Sequence, residues 1–296
     1  MAMMRARLLI VLLLLLPTSA AFSIEWTAHR DIEYTPTADD AQRLDIYTPT
    51  TPQPEPRPVL IYVHGGGWYT GDKSKIQLKA DWSLEQGFIF VSINYRLLPA
   101  ARHPSNSQDV ATAISWIRHH VGDYGGDPQS LFLIGHSAGA HLVALVATDE
   151  RLLAAHELAL DTIRGVIAID TESYDVEARL RSLPAADRRL HLAVFGGHPV
   201  TWRDASPRVH ATAGKQTPPF LLLVAGNSST SEQARSFAAA LERAGGIAHI
   251  EAFPEETHGS INGRLGREDH PPTAAVAQFL VELTAGDPIG SNTLRR

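Results

Sequence analysis

The sequence predicts an α/β protein: a mostly parallel, doubly wound sheet with helices on both faces and a helical insertion over the active-site face. Three observations carry that expectation. From Ile24 onward, short apolar runs alternate with longer segments of helical period, as repeated strand and helix units do. Several runs, among them Val59 to Val63 and Phe220 to Val224, are apolar without a break, the mark of strands buried on both faces. Residues 171–219 interrupt the rhythm for too long to be an ordinary connection.

In chain order, Leu44-Asp45-Ile46-Tyr47 alternates apolar and polar, which predicts a half-buried edge strand, and the proline-rich Pro49 to Pro58 stretch predicts a loop. Val59 to Val63 is the next strand. A helix over about 74–86, a strand over Phe88 to Ile93 and a helix over Ser105 to His120 follow. Leu131 to Ile134 reads as a buried strand entering a glycine-bounded turn, and Ala138 to Thr148 as a small-residue helix leaving it. Gly165 to Ile169 is a strand, and the 171–219 insertion comes next. Phe220 to Val224, an amphipathic helix over Ser231 to Ala244, a strand over Ala248 to Phe253 and a helix over Pro272 to Thr284 complete the chain, with proline suited to a first helical turn.

Composition sets outer bounds. With 296 residues, 44% hydrophobic and 20% charged, residues 22–296 suit one globular domain with 171–219 as a cap-like insertion. A net charge of −6, with 26 Lys and Arg that form no dense cluster, excludes an electrostatic footprint for nucleic acid. Neither a phosphate-cradling loop nor a dinucleotide fingerprint is present. At the N-terminus, Arg5 and Arg7 precede the apolar run Leu8 to Leu16, and Pro17 to Ala21 supplies small residues for cleavage near Ala20 or Ala21. Residues 1–21 therefore read as a secretory signal peptide, because the run falls short of the about 20 residues a spanning helix needs. The mature chain is expected in the periplasm or secreted, without stable membrane insertion. The absence of cysteine excludes disulfides and lipid attachment at a thiol. Oligomeric state is not legible.

Two short segments fit one reaction between them. Gly135-His136-Ser137-Ala138-Gly139 is a G-x-S-x-G turn in the strand-turn-helix setting that exposes a nucleophilic serine. His64-Gly65-Gly66-Gly67-Trp68 follows a buried strand and leaves backbone N–H groups free to converge on a developing alkoxide. Functional groups of a parallel sheet gather at the carboxyl ends of its strands, and His64, Ser137 and Asp170 all stand at such ends. So does His258, which qualifies it as the base. Of the other histidines among the 14, His119, His120, His191, His198 and His270 read as solvated, and His136 and His141 as packing or pocket residues.

The chain resembles the α/β-hydrolase superfamily of esterases and lipases, on the branch of feruloyl-esterase-like proteins and kynurenine formamidases. The matching text is His64 to Trp68 with Gly71-Asp72-Lys73, Asn94 to Leu97, His103-Pro104, Asp109, Tyr124 to Pro128 and Gly135 to His141. The likeness runs from about residue 44 to 283 and is closer in the first half. It implies Ser137 as nucleophile, His258 as base, and an oxyanion hole from the Ala138 N–H and the Gly65, Gly66 and Gly67 turn. His64, Tyr95 and Asp127 take structural roles by the same resemblance. No metal or cofactor is implied.

The sequence departs from the family at the acid. An aspartate is usual three residues after the glycine that ends the next-to-last strand; here those positions are Gly226 and Ser229. Two carboxylates are candidates to replace it: Asp170, which ends the strand after the nucleophile strand, and Glu232, which opens the following helix. Asp170 is preferred, because a first-turn Glu232 is explained by the helix dipole. The expected function is an exported serine hydrolase of a small carboxylic ester or amide. The alternative is a weak or inactive homologue serving as a binding module, motivated by the missing aspartate. Tyr174, Phe195 and Trp202 of the insertion are candidate pocket residues or core. Feruloyl esters, formyl amides, acetylated sugars and short acyl esters all remain open as substrates.

Overall fold

A computed structural model describes residues 24–285 apart from 38, 53 and 227, so the expected leader lies outside the described residues. One sheet has the strand order β1-β2-β4-β3-β5-β6-β7-β8. The strands are β1 Trp26–Glu33, β2 Arg43–Pro49, β3 Arg57–Val63, β4 Ile89–Ile93, β5 Gly126–His136, β6 Ile163–Ile169, β7 Phe220–Ala225 and β8 Ala248–Phe253. β1 with β2, and β2 with β4, pair antiparallel; every other pairing is parallel.

The helices are α1 Lys79–Glu85, α2 Ser105–His120, α3 Ala138–Val146, α4 Glu150–Ala154, α5 Val176–Ser182, α6 Arg189–Phe195, α7 Pro199–Asp204, α8 Pro207–His210, α9 Ser228–Arg243, α10 Ser260–Gly263 and α11 Pro271–Thr284. Strand alternation divides the core between the two faces. On β3, Val59, Ile61 and Val63 join the apolar residues of α2, α3 and α9, while Leu60 and Tyr62 join those of α1 and α11.

Two expectations are corrected here. β2 is an inner strand covered by β1, not an edge. Asp45, whose polarity suggested a solvent face, is fully buried and accepts from Lys73 Nζ at 2.5 Å and from the Asp31 N–H at 2.9 Å. Helix α1 starts at Lys79 rather than near residue 74, because Gln77 takes φ 50° and side chains claim the preceding N–H groups. Lys73 N–H donates to Asn94 Oδ1 at 2.6 Å, and Ser74 N–H to Asp72 Oδ1 at 2.8 Å.

Topology then positions the crevice. From β3 the chain crosses through α1 to β4 on one side, then returns through α2 to β5 on the other. Segments leaving the carboxyl ends of β3 and β5 therefore diverge, and a cleft opens between them. The His64 to Trp68 turn and the Ser137 turn rise from those two ends. The 171–219 insertion contributes α5 to α8. Helix α6 meets the glycine turn directly: a Cβ on Gly67 would lie 3.1 Å from Leu190, and His191 and Phe195 pack edgewise on Trp68 at 5.8 and 5.0 Å.

Candidate active site

The serine turn is built on close backbone approach. A Cβ on Gly135 would fall 2.5 Å from the Gly139 carbonyl oxygen, and one on Gly139 would fall 2.1 Å from that of Val63. Neither position accommodates a side chain without moving backbone. Ser137 itself takes φ 57°, ψ −117°, a strained conformation that the packed strand and helix hold in place. Its own N–H donates to the Ile169 carbonyl at 2.8 Å, which locks the turn to β6.

Three side chains from distant segments form a continuous hydrogen-bonded row. Ser137 Oγ lies 3.0 Å from His258 Nε2, and His258 Nδ1 lies 2.7 Å from Asp170 Oδ2. Asp170 is 1% exposed, whereas the His258 side chain is 55% exposed. The Asp170 main chain is held by an N–H bond to the Leu223 carbonyl at 2.8 Å, and Oδ1 accepts the Ala225 N–H at 2.9 Å. Burial pushes the carboxyl up, but the bonds from His258, Ala225 and Thr230 outweigh it and keep the group below the ordinary carboxylate range. An ionised Asp170 draws the imidazole proton to Nδ1 and leaves the Nε2 lone pair facing the serine hydroxyl.

Glu232 does not reach the imidazole. It is exposed in the second turn of α9, which begins at Ser228 rather than at the expected Ser231, so it stands past the first-turn place expected of it and makes no hydrogen bond or ion pair among the described residues. Ser229, where the usual acid would stand, bonds Glu172, which in turn pairs with Arg179.

Opposite the row lies the glycine turn. Gly66 and Gly67 take φ 116° and 61°, and the Gly66 carbonyl accepts the Thr70 N–H at 3.1 Å. A Cβ on Gly65 would lie 3.2 Å from that of Ser137, so the turn abuts the hydroxyl. The N–H groups of Gly66, Gly67 and Ala138 have no protein acceptor among the described residues. His64 braces the turn: its Nδ1–H donates to the Gly65 carbonyl at 2.7 Å, and its ring stacks on Tyr95 at 4.5 Å. Tyr95 Oη donates to the His64 carbonyl at 3.0 Å. Asp127 caps its own turn through the Gln129 N–H at 2.8 Å.

Several histidines differ from their sequence reading. His270 is 1% exposed rather than solvated, with Nδ1 3.1 Å from Thr273 Oγ1 and Nε2 3.3 Å from Glu256. His191 is half-buried against Trp68, because the insertion folds down on the glycine turn. His119, His120 and His198 are exposed, as expected. Tyr174 is core, stacked on Phe237 at 4.7 Å, and Phe195 is buried; Trp202 Nε1 donates to the Gly196 carbonyl at 2.8 Å. As to cations, Asp149, Asp204 and His210 bring ligand atoms within 4.8 Å of one another, but Arg151 already bridges the two carboxylates at 2.6 and 2.7 Å.

Sheet order, strained serine turn and hydrogen-bonded row together are those of an α/β-hydrolase. The chain has that fold, and residues 44–176 match the BD-FAE family model. It is 34% identical to Esterase LipC and 35% identical to Esterase LipQ of Mycobacterium tuberculosis, over 82% and 84% of its own length and 62% and 61% of theirs. It thus spans about three-fifths of the length of the curated relatives it matches. Among solved structures, Est2 of Thermogutta terrifontis phosphonylated by sarin is similar at a TM-score of 0.71 and 25% identity, over 88% of this chain and 96% of that one. A truncated carbohydrate esterase from gut microbiota shares the fold, with a TM-score of 0.74 and 20% identity over 90% of this chain and 99% of that one.

Proposed function

We propose that this chain is an exported serine carboxylic ester hydrolase that works through an acyl-enzyme on Ser137. The observation that carries the reading is the row Asp170, His258, Ser137 at 2.7 and 3.0 Å, facing a glycine turn with free N–H groups. His258 Nε2 takes the hydroxyl proton as Ser137 Oγ attacks the ester carbonyl carbon. The carbonyl oxygen becomes an alkoxide, stabilised by the N–H of Ala138 and those of the Gly65 to Gly67 turn. Collapse breaks the bond to the alcohol, which leaves with the proton held by His258. Water then repeats the sequence on the acyl-enzyme and releases the carboxylic acid. Throughout, Asp170 holds the imidazole tautomer and offsets the charge of the imidazolium.

The esterase names of the relatives support the same activity. An inactive binding homologue had one motive, the missing acid at Ser229, and Asp170 on His258 removes that motive. A small ester suits the reading best; the amide remains the harder substrate of the same mechanism. Export rests on the pattern of residues 1–21, and cell fractionation of the full chain against a chain lacking them tests it. The activity is tested with the mature protein on short p-nitrophenyl esters and a fluorophosphonate. Acyl release and labelling, both lost in Ser137→Ala with the fold intact, are expected; a wild-type protein that does neither would overturn the reading.

A further inference from the structure

The base is the most exposed member of the row, and its loop is tied to the rest of the fold on either side of it, by the Gly226 N–H on the Glu256 carbonyl at 3.1 Å and Lys79 Nζ on the Asn262 carbonyl at 2.9 Å, with local bonds between. Thr257 and Ser260 bond each other, Ser260 and Arg264 bond Glu256, and the Ile261 N–H returns to the Thr257 carbonyl at 3.1 Å. Among the described residues, one hydrogen bond from outside this loop reaches the backbone of His258. It comes from His136, the residue before the nucleophile, whose Nε2–H donates to the His258 carbonyl at 2.7 Å with the two rings 4.6 Å apart.

We propose that His136 is a positioning residue: it clamps the backbone of the base to the nucleophile turn, so that His258 Nε2 stays in register with Ser137 Oγ. This rests on the reading of Ser137 and His258 as nucleophile and base. The geometry suits the task in three ways. A carbonyl acceptor requires the His136 proton on Nε2, which leaves Nδ1 without one in the neutral ring. That Nδ1 faces Gly65, where a Cβ would come within 3.0 Å, so the ring wedges between the glycine turn and the base loop. The groups facing it keep it neutral: burial first, then the neighbouring His258 and Lys79, push it down to about 3, against the bond to the His258 carbonyl and the charge of Asp170. Lys79 is itself buried, with Nζ 2.9 Å from the Asn262 carbonyl of α10. The clamp therefore keeps one protonation state when His258 becomes an imidazolium.

The test compares His136→Gln, whose amide Nε2–H reaches about as far as the imidazole Nε2–H, with His136→Leu and His136→Asn, neither of which presents a donor there. Steady-state kinetics on p-nitrophenyl acetate, the rate of fluorophosphonate labelling, and the proton resonance of the bond from His258 to Asp170 in a Ser137→Ala background are read together. Leu and Asn are expected to lower kcat by about 10- to 100-fold with KM within about threefold, to slow labelling equally, and to broaden the resonance. Gln is expected to stay within about fivefold of wild type. Full kcat in the Leu variant, a Gln variant as slow as Leu, or a change in KM alone would overturn the clamp. Should Leu fail to fold, the comparison of Gln with Asn decides it. A wild-type protein without turnover or labelling ends the functional reading instead, and the resonance then decides the clamp alone.

Discussion

Asp170→Asn separates the charge of the acid from its shape. The side chain is 1% exposed and, besides its bond with Thr230, Oδ1 accepts a backbone N–H from Ala225 at 2.9 Å, and Oδ2 accepts from His258 Nδ1 at 2.7 Å. In the asparagine variant the one oxygen goes to the fixed Ala225 N–H, so the amide NH2 points at the imidazole. Nδ1 must then accept, and the ring proton moves to Nε2, where it faces Ser137 Oγ and no base remains. Loss of tautomer and charge together is expected to lower kcat by about 10⁴, or about 5.4 kcal/mol of transition-state stabilisation. The glycine turn and substrate binding retain roughly 10³ to 10⁴ over water, so the residual rate is measurable. The assay is turnover of p-nitrophenyl butyrate, with circular dichroism to show the fold intact and Glu232→Gln as the control. That control is expected within about twofold, given its exposed place on α9. An Asp170→Asn enzyme that keeps more than a tenth of wild-type kcat, or a Glu232→Gln enzyme that loses as much, would refute the reasoning.

Other outcomes follow from the packing and the buried imidazoles. In Gly139→Ala the new methyl meets the Val63 and His64 carbonyl oxygens at 2.1 and 2.6 Å, so backbone must shift. Thermal unfolding should show a loss of about 1–3 kcal/mol or more, together with reduced kcat, as β3 carries the glycine turn. His141 is 1% exposed and burial pushes it down to about 3, while the unfolded chain protonates it near the ordinary histidine value. The unfolded state thus binds more protons between about pH 6.5 and 3, so stability is full above that window and falls as pH falls through it. This one residue is expected to cost about 2 kcal/mol at pH 5, read as a shift in urea midpoint that His141→Gln reduces. For Gly71→Ala, a Cβ at φ 118° would fall 2.2 Å from His64 Nδ1, which should displace the brace of the glycine turn and lower kcat more than it raises KM.

Much of the sheet was legible because buried parallel strands are written as unbroken apolar runs: β3, β6 and β7 lie within two residues of their expected bounds. Failures came where tertiary pairing overrode local pattern. The expected edge strand at Leu44 to Tyr47 is interior because β1, whose exposed and half-buried residues follow no clean alternation, covers it. Helix α1 was drawn too long, since side-chain bonds from Asp72 and Asn94 to the backbone leave no mark in periodicity. His270 and His191 looked solvated because polar residue type does not reveal a buried partner.

By itself the sequence determined the strained serine turn, the glycine run opposite it and the likeness that joins them, because both depend on residues contiguous in the chain and on glycine where a Cβ cannot fit. It also offered a base and two candidate acids, without distances between them. Only the tertiary structure decided that Asp170 rather than Glu232 lies on His258, 88 residues apart, and that His136 holds the His258 backbone across 122. Those contacts arise from the order in which strands are laid beside one another: β6 next to β5 brings Asp170 beside the nucleophile turn, whereas α9 turns Glu232 to solvent. Strand order is set by the summed burial of the whole sheet, a quantity that no short segment of the chain contains.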